Sequence, residues 1–168
     1  MKERKLSPAG RITTLAVCVA VSLMLSFIES QIPPILPIPG IKLGLANIAV
    51  IFVLYRLGAR DAICVSLLRV CLSSLLFGSV TSFIYGMSGA VLSLLVMLLL
   101  RKTPLGTVGV SSLGGVSHNI AQIAMASLIM QTNVVVYYLP YLVLSGTIAG
   151  IVIGIAGAVL VKKVPMVR

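Results

Sequence analysis

Acidic residues are almost missing from this chain: Glu3, Glu29 and Asp61 are the only three in 168. That scarcity leaves no paired carboxylate for acid–base chemistry and no aspartate cluster to hold Mg²⁺ on a diphosphate. There is no P-loop either. An autonomous hydrolase, prenyltransferase or ATPase is therefore not expected, and the chain reads as a non-enzyme. Tryptophan is absent, and no aromatic-rich basic surface accompanies the net charge of +10, so a nucleic-acid partner is not expected. The single histidine has no second imidazole or nearby carboxylate to share a metal, and the chain is read as holding no metal and no cofactor. The three cysteines, Cys18, Cys64 and Cys71, all sit in apolar segments without a CxxC pair. They support neither a disulfide framework nor a zinc site.

What is abundant is apolar side chain: 59% of residues are hydrophobic and the mean hydropathy is +1.17. A soluble domain of this size could not bury so much, so lipid is the expected solvent. Apolar runs bounded by charge or by Pro and Gly place six helices at about 12–28, 41–57, 62–77, 83–100, 111–130 and 138–161. The expectation is an all-α integral membrane protein, a six-transmembrane-helix bundle forming a single domain over 1–168. The basic start and the following apolar stretch imitate a signal peptide, but the run exceeds a usual h-region and Glu29-Ser30-Gln31 leads into prolines. It is read as a retained first helix.

Lysine and arginine fix the orientation. Lys2, Arg4, Lys5, Arg11, Arg56, Arg60, Arg101, Lys102, Lys162, Lys163 and Arg168 fall at one set of helix ends, whereas the opposite ends contain only Lys42. By the positive-inside rule the first set, with both termini, faces the cytoplasm of a cell membrane crossed several times.

Several segments depart from plain lipid-facing helix. Residues 29–40 hold half of the eight prolines, which fix φ and remove N–H donors; this stiff, largely apolar strip is either a lid or a connector. Helix 6 carries Gly146, Gly150, Gly154 and Ala158 at four-residue spacing, a stripe that lets another backbone approach closely. Ala16 and Ala20 make a shorter version on helix 1, serving either packing within the bundle or docking to a partner's helix. Arg69 lies about eight residues into helix 3, roughly 12 Å from its basic end. It either faces inward toward an anionic ligand group or buried polar partner, or snorkels. His118 and Gln122 stand one turn apart with Asn119 adjacent, forming a polar face inside the membrane; the alternative reading is hydrogen bonding between helices. Glu29, Lys42 and Asn47 lie at the outer mouth. Lys42 either anchors at the headgroups or, with Arg69, gives an outward cavity positive character. A cavity framed by helices 2, 3 and 5 and the strip is the expected small-molecule site.

At Pro39-Gly-Ile-Lys-Leu-Gly-Leu-Ala-Asn47, after the proline-rich strip, and at Gly115-Val-Ser-His-Asn-Ile-Ala-Gln122, the chain resembles the Gx transporter family. That family also carries the label heptaprenyl diphosphate synthase component I and is similar to the substrate-binding S components of energy-coupling factor (ECF) vitamin transporters. The resemblance covers nearly the whole chain. It implies a bundle that captures a vitamin-like ligand beneath its first loop. The small-residue face of helix 1, with Ala16 and Ala20, would then dock on a membrane coupling subunit driven by two cytoplasmic ATPases. The synthase label implies a different role, a membrane subunit supporting polyprenyl diphosphate synthesis with catalysis in a partner.

Overall fold

The computed structural model describes residues 7–31 and 44–164. Six α-helices run in chain order: α1 Pro8–Gln31, α2 Asn47–Arg56, α3 Ala59–Phe77, α4 Val80–Leu100, α5 Gly106–Met130 and α6 Leu139–Lys163, with a 3₁₀ turn Val134–Tyr138 leading into α6. No strand occurs among the described residues. In hydrocarbon every backbone N–H and C=O must be satisfied within the protein, and a helix does this within one segment. Ser7 Oγ accepts the Gly10 N–H at the start of α1, and Ser79 Oγ accepts the Ser82 N–H at the start of α4. Gln131 ends α5 in the left-handed conformation, φ 49°.

The expected count of six spans requires correction. Among the described residues four segments are long and apolar enough to cross a membrane: Pro8–Gln31, Val80–Leu100, Gly106–Met130 and Val134–Lys163. The expected second helix, 41–57, is only ten residues long, about 15 Å of rise. It starts late because Gly44 adopts φ +70° and its carbonyl accepts the Asn47 N–H at 2.8 Å, closing a turn ahead of the helix. Helix α3 has nineteen residues but carries Arg60, Asp61 and Arg69 among them.

Helix α2 is held by protein more than by lipid. Ala49, Val50, Ile51, Phe52, Val53 and Leu54 are all buried, so α2 is enclosed on every side. It packs against α1, α3 and α6. Its two ends meet opposite ends of the bundle. Gly44, just before it, donates its N–H to Glu29 at the C-terminal end of α1. Arg56, its last residue, donates to the Val164 carbonyl beyond α6. Arg11 at the start of α1 forms a two-pronged ion pair with Asp61 at the start of α3, at 2.8 and 3.0 Å. Arg11, Arg56 and Asp61 thus gather at one end of the bundle and Glu29 at the other.

The glycine stripe of α6 is a packing seam, and its partner is α5. A Cβ placed on Gly150 would stand 2.5 Å from Ser112 Cα, and one on Gly154 would stand 2.7 Å from Val108 Cα. A Cβ on Gly115 would stand 2.5 Å from the Gly146 carbonyl oxygen. Only bare backbone fits at such separations, and α5 and α6 accordingly share the most extensive contact in the fold. Ala16 and Ala20 are exposed on the outer face of α1, while Cys18 between them turns inward. Among the described residues nothing packs over this pair.

Candidate functional site

One turn of α3 from the fully enclosed Val65 and Ser66 stands Arg69, itself only 9% exposed. A guanidinium cannot shed its charge, so its burial in an apolar bundle calls for compensating groups. The turn before α2 supplies one. Arg69 Nη2 donates to Asn47 Oδ1 at 3.1 Å. Glu29, whose Oε1 accepts the Gly44 N–H at 2.6 Å, supplies a favourable negative field. Arg69 Nε is buried with no hydrogen-bond partner among the described residues. A buried donor left unmade costs about 1–3 kcal/mol, more when charged. Such a group marks a place where a ligand or solvent completes the structure.

Two adjoining cavities of about 80 and 150 Å³ meet at this point, and Glu29, Arg69 and His118 line both. The smaller lies deeper, bordered by Asn47 of α2, Ser93 and Met97 of α4, Ser111, Gly114 and Asn119 of α5, and Gly146 and Gly150 of α6. The larger is bordered by Ser26 and Ser30 of α1, Ser73 and Ser74 of α3, Ser82 and Gly86 of α4, and Gln122 of α5. A 150 Å³ cavity holds a molecule of roughly benzene size. Glycines create the room: a Cβ on Gly89 would stand 2.6 Å from the His118 ring, and one on Gly114 would stand 2.8 Å from Met97 Cγ.

Of the residues singled out in the sequence, Glu29, Asn47, Arg69, His118 and Gln122 converge on these cavities. Gln122 adds a buried Oε1 with no hydrogen-bond partner among the described residues. Asn119 borders the deeper cavity, but its Nδ2 is committed to the Leu142 carbonyl at 2.7 Å, so it ties α5 to α6. Lys42 and the prolines of the strip lie outside the described residues. The frame is wider than helices 2, 3 and 5, because α1, α4 and α6 all contribute walls. The serines went unread in the sequence, and for a physical reason. Serine in an apolar helix ordinarily bonds a carbonyl of its own helix, as Ser22 does to Cys18 and Ser73 does to Val70, so its presence carries no signal of a cavity.

Chemically, the site offers a cation with an unmade donor, a carboxylate and an amide oxygen without a partner, enclosed by apolar helices. It has the means to bind and orient a small polar molecule.

Comparison with known proteins yields one family. The family model described as heptaprenyl diphosphate synthase component I matches residues 18–160, a stretch that includes every residue of the two cavities. No curated protein matches, and no solved structure does. On the strength of the family match over most of its length, this multi-pass membrane protein belongs to the heptaprenyl diphosphate synthase component I family.

Proposed function

We propose that the chain is a substrate-binding membrane subunit, S-component-like, of an ECF-type ABC transporter that takes up a vitamin-like or other small organic ligand, and that it performs no chemistry alone. The observation that carries this reading is the buried Arg69 with its unmade Nε donor on a cavity shared with Glu29 and His118. A polar cavity inside an apolar bundle costs stability unless something fills it. In this reading the bundle lies in the cell membrane with both termini cytoplasmic, and the cavities open outward. The exposed Ala16 and Ala20 then meet the membrane coupling subunit, which works with two cytoplasmic ATPases.

The family's own description favours a second reading, a membrane component of heptaprenyl diphosphate synthesis. Catalysis would then belong to a partner. Asp61 is engaged by Arg11, and Glu29 lies eighteen positions along α1 from that arginine, about 27 Å away by helical rise. The two carboxylates cannot hold one metal between them.

Affinity capture of the tagged chain from its native membranes separates the two readings. The transporter reading expects a membrane coupling protein and two ATPases to co-purify. Recovery of a soluble polyprenyl synthase in their place, with elongation of allylic diphosphates by the pair, would replace it. The isolated chain with Mg²⁺ should elongate nothing.

A further inference from the structure

Glu29 and Arg69 face the same two cavities from α1 and α3, yet they do not form a direct ion pair. The turn Gly44–Asn47 holds both. Its first residue donates an N–H to Glu29 Oε1 at 2.6 Å, and its last accepts from Arg69 Nη2 at 3.1 Å. The turn is itself stiff. Gly44 sits at φ +70°, and a Cβ there would stand 3.2 Å from Asn47 Nδ2 and 3.3 Å from Ile153 Cδ1. A carboxylate and a guanidinium are thus fastened to one short spacer, on either side of a space that neither fills.

The charges of this pair cancel, and that restricts the occupant. In a weakly polarisable interior an added monoanion would gain from Arg69 and be repelled by Glu29, and a monocation would meet the reverse. A molecule with both signs pairs with each wall and adds no net charge to the bundle. The unmade hydrogen bonds divide the same way. Arg69 Nε is a donor without an acceptor, suited with its neighbouring N–H groups to a carboxylate. Gln122 Oε1, on the larger cavity with Glu29, is an acceptor without a donor. An ammonium carries three donors and can serve Glu29 and Gln122 together.

We propose that the ligand is a small zwitterion, its carboxylate held by Arg69 and its primary ammonium held between Glu29 and Gln122. This rests on the ligand-capture reading above and deepens it. The larger cavity, at about 150 Å³, fits a skeleton of roughly the size of benzene.

Matched probes test the assignment. One trio is phenylalanine, hydrocinnamate and phenethylamine; the other is γ-aminobutyrate, butyrate and butylamine, so that both charge pattern and charge spacing vary. The chain has one histidine, and His118 lines both cavities. The NMR signal of its imidazole in detergent-solubilised protein therefore reports occupancy directly. A zwitterion should bind roughly tenfold or more tightly than its matched acid and amine, the worth of one charge-assisted hydrogen bond. Glu29→Gln should abolish that preference over the acid, and Arg69→Gln the preference over the amine. Because Glu29 is only partly buried, its variant keeps the test open should Arg69→Gln fail to fold. An acid binding as tightly as its zwitterion overturns the assignment and leaves ligand capture standing. If no probe binds, native mass spectrometry of the purified chain decides. A co-purified molecule lacking an amino group overturns the zwitterion alone, one carrying both groups upholds it, and a bare chain removes the capture reading with it.

Discussion

Substituting Gly89 by alanine is the sharpest local perturbation of the site, because the His118 ring lies directly on that glycine. A Cβ there would stand 2.6 Å from Cε1 and 2.7 Å from Nδ1 and Nε2, whereas ordinary contact begins at 3.4 Å. The ring must therefore retreat by about 0.8 Å, the difference between those distances. The backbone of α5 cannot retreat with it, since Gly115 is already against the Gly146 carbonyl of α6. The imidazole moves into the cavities that it lines, at a cost of about 1–3 kcal/mol of overpacking. Gly86→Ala, three residues earlier on α4, is the control: its Cβ would stand an ordinary 3.4 Å from Val70 Cγ1. The imidazole resonance of the one histidine reads the outcome. Gly89→Ala should shift it and weaken binding of any ligand that occupies the cavities, whereas Gly86→Ala, whose methyl meets only Val70 within 4 Å, should leave the signal unshifted. An unshifted signal in Gly89→Ala, or equal shifts in both variants, would refute the placement of His118.

Three further outcomes are expected. Gly150→Ala sets a methyl 2.5 Å from Ser112 Cα and 2.7 Å from the Ser111 oxygen; with backbone on the far side, α5 and α6 must part, lowering stability by about 1–3 kcal/mol in a denaturing-detergent titration. Asn119→Leu removes the 2.7 Å bond to the Leu142 carbonyl and should cost about 0.6–1.7 kcal/mol of stability while leaving ligand affinity unchanged; loss of affinity without loss of stability would make Asn119 a ligand contact. Ala16→Trp and Ala20→Trp, at exposed positions of α1, should fold and bind ligand as before yet lose the ATPase-bearing partners on affinity capture. If both variants still assemble, that face meets lipid.

The long apolar helices were legible because hydrocarbon demands long apolar runs. Helices α1, α4, α5 and α6 appear where hydropathy places them and extend a few residues further at their starts or ends. Capping accounts for part of this: Ser79 lets α4 begin at Val80, ahead of the expected residue 83. Helix α2 is shorter than its apolar run suggests, because hydropathy registers the run but not the left-handed Gly44, where the chain turns. Arg69 was legible as a site residue because a charge so deep in a helix demands a partner. Its partner Asn47 was singled out for its place at the helix mouth, and only the three-dimensional turn shows why it matters. Asn119 illustrates the limit of a shared polar face. It directly follows His118, yet the step of about 100° around the helix turns its amide to Leu142.

The central claim, that these cavities exist to hold a small molecule, is tested most directly by native mass spectrometry of the chain extracted gently from its own membranes. A stoichiometric small-molecule adduct is expected on the wild-type chain and should be missing or much depleted in Glu29→Gln, with both proteins folded by the His118 signal. A wild-type chain that carries no adduct would contradict that claim, whereas an adduct retained in full by Glu29→Gln would overturn only the zwitterion assignment.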